Sequence, residues 1–163
     1  MKAFPCRPAF LCGLVLALAF AAALAGAPAP ALADASLPGG LLKAEANVAA
    51  ARASGQALFF QGQTNLPDGT RMVVAVGTDK GQLIGQMDTS VAAGAFRAGP
   101  FAVGTRPLPP GAYRVQISSA SGALQPRHVV AALGARGEKL TGPLVQSSRS
   151  GRHVLFQSVV QAP

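Results

Sequence analysis

Two histidines, His128 and His153, have the side chains best suited to catalysis near neutral pH. An imidazole acts as a general base when a nucleophile lies within hydrogen-bond reach, and serine is the abundant candidate nucleophile. No serine, however, stands in a Gly-x-Ser-x-Gly or Ser-x-x-Lys pattern. Because each histidine lies at or next to the start of a predicted strand, a solvent-facing position is the simpler interpretation. A hydrolase is therefore an alternative without a supporting motif.

The same histidines, together with Met72 and Met87, could ligate copper or zinc through nitrogen and thioether donors. The spacing gives this no support, since the sequence contains neither a His-x-His pair nor a cluster of methionines. Met72 also belongs to an alternating apolar segment, which favours a place in the core. We expect no cofactor and keep a metal-binding protein that uses His128 or His153 as the alternative.

Four arginines, Arg71, Arg114, Arg127 and Arg152, are predicted at solvent-facing or strand-start positions. If their strands are neighbours in one sheet, the guanidinium groups would form a basic patch that recognises phosphate or carboxylate. Arginines on the wet face of a sheet also protect against edge pairing, which explains them without a ligand. Sequence alone does not decide whether the four are adjacent.

The first 33 residues are typical of a secretory signal peptide. Lys2 and Arg7 give a positive start, residues 10–25 form an uncharged apolar stretch, and residues 31–33 (Ala-Leu-Ala) provide a cleavage site. The apolar stretch is shorter than the ~20 residues that a spanning helix needs. We therefore predict cleavage after Ala33, a periplasmic or extracellular location, and no transmembrane segment in the processed protein.

Cleavage would change both the cysteine count and the charge. Both cysteines, Cys6 and Cys12, lie in the predicted signal peptide, so the processed chain has no disulfide and depends on packing for its stability. Without Lys2 and Arg7, the remaining basic residues still exceed the six acidic ones by six. Among partners, such a surplus favours an anionic component of the envelope, or another envelope protein, over nucleic acid. A soluble, self-repelling surface is the simpler explanation, because the basic residues are scattered singly without a run of like charges.

Composition divides the predicted processed chain into two parts. Residues 34–55 are rich in alanine and indicate a linker or a short helix. The side chains that would share one face of that helix are Leu41, Leu42, Glu45, Val48 and Ala49. Residues 56–161 contain short segments rich in β-branched and aromatic residues, each ended by Gly, Pro, Asn or Asp, which is typical of strands.

The strand pattern is clearest where Tyr113, Val115 and Ile117 alternate with polar residues. Residues 128–133 and 154–160 are predicted as the last two strands, with a loop-rich stretch over residues 134–151. Seven or eight short strands without a long helical pattern predict an all-β, antiparallel sandwich.

Two segments carry a resemblance to known families: residues 64–70 (TNLPDGT) and 108–115 (LPPGAYRV). They resemble small secreted bacterial domains with an immunoglobulin-like or fibronectin-III-like β-sandwich. The Pro-Pro-Gly-x-Tyr approach to a strand is also similar to that of prealbumin-like and carboxypeptidase-regulatory-like modules. The resemblance implies a sandwich and a binding or structural role, with Tyr113 in place of the corner tyrosine of such folds. It implies no catalytic residues.

These observations together predict an exported, non-enzymatic, single β-sandwich domain that acts through surface contacts in the bacterial envelope. The alternatives are the metal-binding protein and the hydrolase described above.

Overall fold

The structure, a computed structural model, describes residues 36–37, 40–52 and 57–163, so the predicted signal peptide lies outside the described residues. Strands make up most of the described chain. They are β1 (Ser36–Leu37), β2 (Leu41–Lys43), β3 (Ala49–Arg52), β4 (Leu58–Gln63), β5 (Arg71–Thr78), β6 (Leu83–Ser90), β7 (Ala95–Val103), β8 (Arg106–Pro107), β9 (Gly111–Ser119), β10 (Leu140–Thr141), β11 (Val145–Ser148) and β12 (Gly151–Ala162). The helical elements are α1 (Arg127–Leu133) and a 3₁₀ turn at Gly122–Leu124.

A five-stranded antiparallel sheet has the order β11-β12-β9-β5-β6. Its central strand, β9, shows why these segments are extended, because Tyr113, Val115 and Ile117 are buried while Arg114 is exposed. When apolar residues alternate with polar ones, the apolar side chains share one face only if the chain is extended. The predicted alternation is thus confirmed.

A four-stranded antiparallel sheet has the order β3-β4-β7-β8. Leu58 and Phe60 on β4 face inward, as do Phe96 and Phe101 on β7. The two sheets meet through aromatic rings. The ring centroid of Phe60 lies 5.6 Å from that of Phe101 in the same sheet and 6.4 Å from that of Tyr113 in the other sheet. Both pairs of rings are edge to face, which is a favourable arrangement for aromatic rings. The described chain is therefore all-β, with its core between two antiparallel sheets.

The two large sheets contain nine strands, compared with the seven or eight predicted. The difference includes β3, which lies in the alanine-rich segment where a linker or short helix was expected. The helix prediction is wrong for the described part of residues 34–55. There, β2 pairs in parallel with β10, and the backbone amides of Leu42 and Ala44 donate to the carbonyls of Lys139 and Thr141. Such long-range partners outweigh the helical preference of alanine.

Residues 128–133, predicted as a strand, instead belong to helix α1. Val129 and Leu133, spaced by one helical turn, are buried against the core. Pro126 precedes the helix, where its missing N–H costs nothing, and Gly134 ends it with a φ of 89°. A short apolar run satisfies either a buried strand or a buried helical turn, so pattern alone favoured the wrong element.

The stretch from 134 to 151, expected to be loop-rich, contains the two short strands β10 and β11. Glu138 organises the turn before β10, since its Oε2 accepts the backbone N–H of Arg136 at 3.0 Å. That hydrogen bond lowers the pKa of the Glu138 carboxyl, and the charges of Arg136 and Arg152 act in the same direction.

Across the described ranges, no helix has the length and apolarity needed to cross a bilayer.

Candidate functional site

A groove of about 640 Å³ is lined by the outer face of the four-stranded sheet and by the end of β6. Its polar lining consists of Asn47, Gln61, Gln63, Thr89, Ser90 and Arg97. Alanines supply most of the remaining surface, at Ala49, Ala92 and Ala95. Long polar side chains therefore flank short alanine side chains, which form the floor of the groove.

Strand alternation and register place these side chains together. Because Leu58 and Phe60 of β4 face the core, Phe59, Gln61 and Gln63 must project from the opposite face. Gln61 pairs with Ala49 of β3 on one side and with Arg97 of β7 on the other. Those three residues form a row across the sheet. With neighbouring strands ~4.8 Å apart, this row is about 10 Å wide.

The amides of the groove are available for binding. Within the described residues, the side chains of Gln61 and Gln63 make no hydrogen bond. Asn47 uses its Oδ1 to accept the backbone N–H of Gln63 at 2.8 Å, which fixes its side chain while leaving its NH₂ group without a partner in the same part of the chain. Each free amide offers both donors and an acceptor.

Arg97 provides the positive charge of the groove. Its guanidinium carbon lies 4.0 Å from the centroid of the Phe59 ring, a cation–π contact that holds an otherwise flexible side chain in place. No carboxylate is among the described residues that line the groove. The one salt bridge found in the described part of the chain joins Lys43 to Glu45 at 3.8 Å. No carboxylate of the described residues therefore forms an ion pair with the guanidinium of Arg97.

On the outer face of the five-stranded sheet, some of the polar side chains are already paired within the protein. Gln157 on β12 donates through Nε2 to Oε1 of Gln116 on β9, at 2.8 Å. The guanidinium of Arg114 donates to the carbonyl of Asp79 at 3.4 Å. Polar groups already paired within the protein gain less from a ligand than unpaired ones. The groove is therefore the better candidate for a binding site.

The four arginines predicted as a patch are spread over the molecule. Arg71 and Arg114 share the outer face of the five-stranded sheet, but Arg114 pairs with Gly77, six residues along β5 from Arg71. At ~3.3 Å per residue, that is about 20 Å. Arg127 is exposed on α1. Arg152 donates to the carbonyls of Glu138 and Leu140, so it holds the turn before β10. The structure does not bring the four together.

The two histidines also occupy separate elements. On α1, Nε2 of His128 lies 2.8 Å from the carbonyl oxygen of Asp68 and anchors the helix to the turn before β5. His153 lies on β12 opposite Gln146, beside a cleft of about 320 Å³ that includes Ser118 and Ser150. It forms no hydrogen bond to a serine in the described part of the chain. Among the described residues, neither histidine is therefore hydrogen-bonded to a candidate serine nucleophile.

The described side chains also form no cluster suited to coordinate a metal ion. No group of three or more His, Cys, Asp or Glu side chains that could hold a metal occurs within the described ranges. Met72 is 2% exposed, in the core between the sheets, and Met87 packs against the same core. Both thioethers thus serve packing.

Sequence reasoning missed Gln61, Gln63 and Arg97. Each alternates with a buried residue such as Phe60 or Phe96, so an outward position could have been recognised from the pattern. Their proximity depends on the register between β4 and β7, which the sequence does not reveal.

Comparisons of the chain with protein-family models, with curated proteins and with solved structures each found no match. Function must therefore be inferred from the chemistry of the chain's own surface.

Proposed function

We propose that this chain is an exported, non-enzymatic β-sandwich domain that binds a component of the bacterial envelope in its amide-lined groove. The observation that supports this most directly is the uncompensated guanidinium of Arg97, held by Phe59 beside free amides on an alanine floor. These are groups that recognise a polar, negatively charged ligand. The described lining consists of amides, hydroxyls, alanines and one guanidinium, which are groups that bind a polar ligand through hydrogen bonds and charge.

The immunoglobulin-like classification is part of the same proposal. Two antiparallel sheets that share one core support it. So does Tyr113, whose hydroxyl donates to the carbonyl of Pro109, four residues upstream, at 2.7 Å. The corner tyrosine of immunoglobulin-like domains bonds the backbone a few residues upstream in this way. Conversely, the described chain adds the small sheet β1-β2-β10 and helix α1 to the two large sheets.

Export is supported by the residue pattern of positions 1–33. Intact-mass measurement of the protein recovered from the cell envelope tests it, and we expect a chain that begins at Asp34. Recovery of the unprocessed chain from the cytoplasm would contradict the proposal.

The binding role is tested by pull-down from envelope extract with the processed protein. The test variant, Gln61→Ala with Arg97→Gln, removes one amide and the charge of the groove. The matched control, Gln86→Ala with Arg149→Gln, removes the same groups from exposed positions outside the groove. We expect the control to capture the same envelope component as the wild-type chain and the groove variant to lose it. Equal capture by both variants would reject the groove as the binding site.

A separate variant tests the arginines predicted from sequence. Changing Arg71, Arg114 and Arg127 to glutamine should leave capture unchanged, since these residues lie outside the groove. Loss of capture here, with full capture by the groove variant, would transfer the binding function to the predicted basic residues.

A further inference from the structure

We propose that the ligand of the groove is an acidic polysaccharide whose negative groups are spaced along the chain, an inference that rests on the binding function proposed above. Three properties of the described lining support it: no large apolar side chain is exposed, amides are abundant, and Arg97 is the one cationic side chain.

The exposed apolar groups of the described lining are small ones. Its floor is formed by alanines, and the one large apolar side chain in the lining, Phe96, is only 3% exposed. A lipid chain would therefore meet alanine methyl groups and polar side chains, and no exposed large apolar side chain of the described lining. A protein partner typically places large apolar side chains at the centre of an interface, and the described lining exposes no large apolar side chain to receive them. This lining of small apolar groups and polar side chains suits a ligand that combines hydroxyl groups with short apolar stretches, as a sugar ring does.

The amides define the kind of polar ligand. Gln61 and Gln63 project from the same face of β4, two residues or about 7 Å apart. Asn47 contributes its NH₂ group and Ser90 its hydroxyl at the groove wall. Neighbouring hydroxyls of a sugar ring present donors and acceptors together, as each carboxamide does. Two carboxamides on β4, with the amide of Asn47 and the hydroxyl of Ser90 at the wall, fit a short stretch of a hydroxyl-rich polymer.

The charge of the groove limits the density of charge on the ligand. Arg97 is its only cationic side chain, and no carboxylate opposes it among the described lining residues. A nucleic acid carries a phosphate on every nucleotide and is bound by several cations at once, which this groove does not provide. One guanidinium instead matches one carboxylate or phosphate placed among neutral hydroxyls.

The edges of the groove are fixed before a ligand arrives. The hydroxyl of Thr89 donates to the carbonyl of Arg97 at 2.8 Å and joins β6 to β7 beside the site. Phe59 holds the guanidinium itself. Groups that are already in place lose less conformational entropy on binding.

Isothermal titration of the processed protein tests this assignment with four glycan probes. A hyaluronan octasaccharide carries one carboxylate on every second sugar, and a phosphomannan carries phosphate instead. Neutral chitohexaose lacks the charge, whereas dextran sulfate carries a dense charge. We expect at least one of the two spaced acidic probes to bind about tenfold or more tightly than chitohexaose, with dextran sulfate weaker than that probe. The better of the two spaced probes identifies the anionic group.

Variants then locate the interaction. Arg97→Gln should weaken binding of the spaced acidic probe by about tenfold or more, while Arg97→Lys, which keeps the charge, should lose less. Circular dichroism checks that both variants remain folded. The control Gln86→Ala with Arg149→Gln should bind as the wild-type chain does. Equal affinity for neutral and acidic probes, or equal affinity of wild type and Arg97→Gln, would overturn the inference.

The two proposals fail in distinguishable ways. If none of the acidic glycans binds while the pull-down still captures a groove-dependent envelope component, the polysaccharide assignment is wrong and the binding function stands. If the groove variant captures everything that the wild type captures, both proposals are wrong.

Discussion

Arg97 on β7 and Phe59 on β4 form a contact on the outer face of the four-stranded sheet, with the guanidinium carbon 4.0 Å from the ring centroid. The contact joins neighbouring strands and sets the position of the groove's positive charge. Phe59 therefore acts on binding through Arg97, as a positioning residue.

Replacing Phe59 with leucine should weaken binding of the hyaluronan octasaccharide by about two- to fivefold. The reason is that a cation–π contact contributes about 0.5–1 kcal/mol at an exposed site. Phe59→Tyr keeps the aromatic face and should bind as the wild type does. Isothermal titration measures both variants. If Phe59→Leu retains full affinity, the ring does not position Arg97.

Gly62→Ala should destabilise the fold by more than about 2 kcal/mol, because a side chain there has no room. A Cβ atom on Gly62 would lie 2.7 Å from Cζ of Phe96 and collide with the carbonyl of Asn47. Gly85→Ala is the matched control, since its Cβ would meet only Phe101, at an ordinary 3.9 Å. We expect the control to stay within about 1 kcal/mol of wild type in urea unfolding. Equal losses in the two variants would contradict the packing described at Gly62.

His128 and His153 should differ in their contribution to stability. His128→Ala removes the hydrogen bond to the carbonyl of Asp68 and the packing against Gly69, and should cost about 1 kcal/mol or more. His153→Ala should change the free energy of unfolding by less than about 0.5 kcal/mol, because His153 has no hydrogen bond in the described chain. Thermal and urea unfolding measure both effects. A larger loss for His153 would show that the roles are reversed.

Tyr113 should make the stability depend on pH in the alkaline range. Burial raises the pKa of its hydroxyl from the ordinary 10.0, and the positive charge of Arg52 lowers this pKa by a smaller amount. A pKa raised by folding favours the neutral form, so the resulting stability is present below pH 10 and is lost as the pH rises through the higher folded value.

Tyr113→Phe provides the control for that prediction. Near neutral pH it should be less stable than wild type by about 1 kcal/mol, since the carbonyl of Pro109 loses its donor. As the pH rises above about 10, the wild type should lose stability faster than Tyr113→Phe, and the difference between them should shrink. Urea unfolding at several pH values measures this. A constant difference would mean that Tyr113 does not titrate in the unfolding reaction.

Patterns of neighbouring residues predicted the strands and turns that depend on short-range sequence. The alternation around Val115 identified β9, and the turn residues between Asn65 and Thr70 marked the start of β5. Where the decisive partner is distant in sequence, the prediction failed. Leu42 is extended because β10, about 100 residues later, supplies its backbone partner. Val129 and Leu133 are both buried, and residues four positions apart lie on the same face of a helix.

The groove shows the same limit. An outward position for Gln61 or Arg97 follows from the alternation of each strand, but their pairing follows from the register of β4 against β7. Arg114 and Arg152 had equally suitable sequence contexts, yet both donate to backbone carbonyls of their own chain. Which arginine remains free for a ligand is decided by tertiary contacts.

The most direct test of the groove as a binding site is the NMR spectrum of the ¹⁵N-labelled processed protein during titration with the hyaluronan octasaccharide. We predict that the largest amide shifts occur at Gln61, Gln63 and Arg97, with little change on the outer faces of β9 and β12. Shifts concentrated around Gln116 and Gln157, with the groove unaffected, would contradict the account.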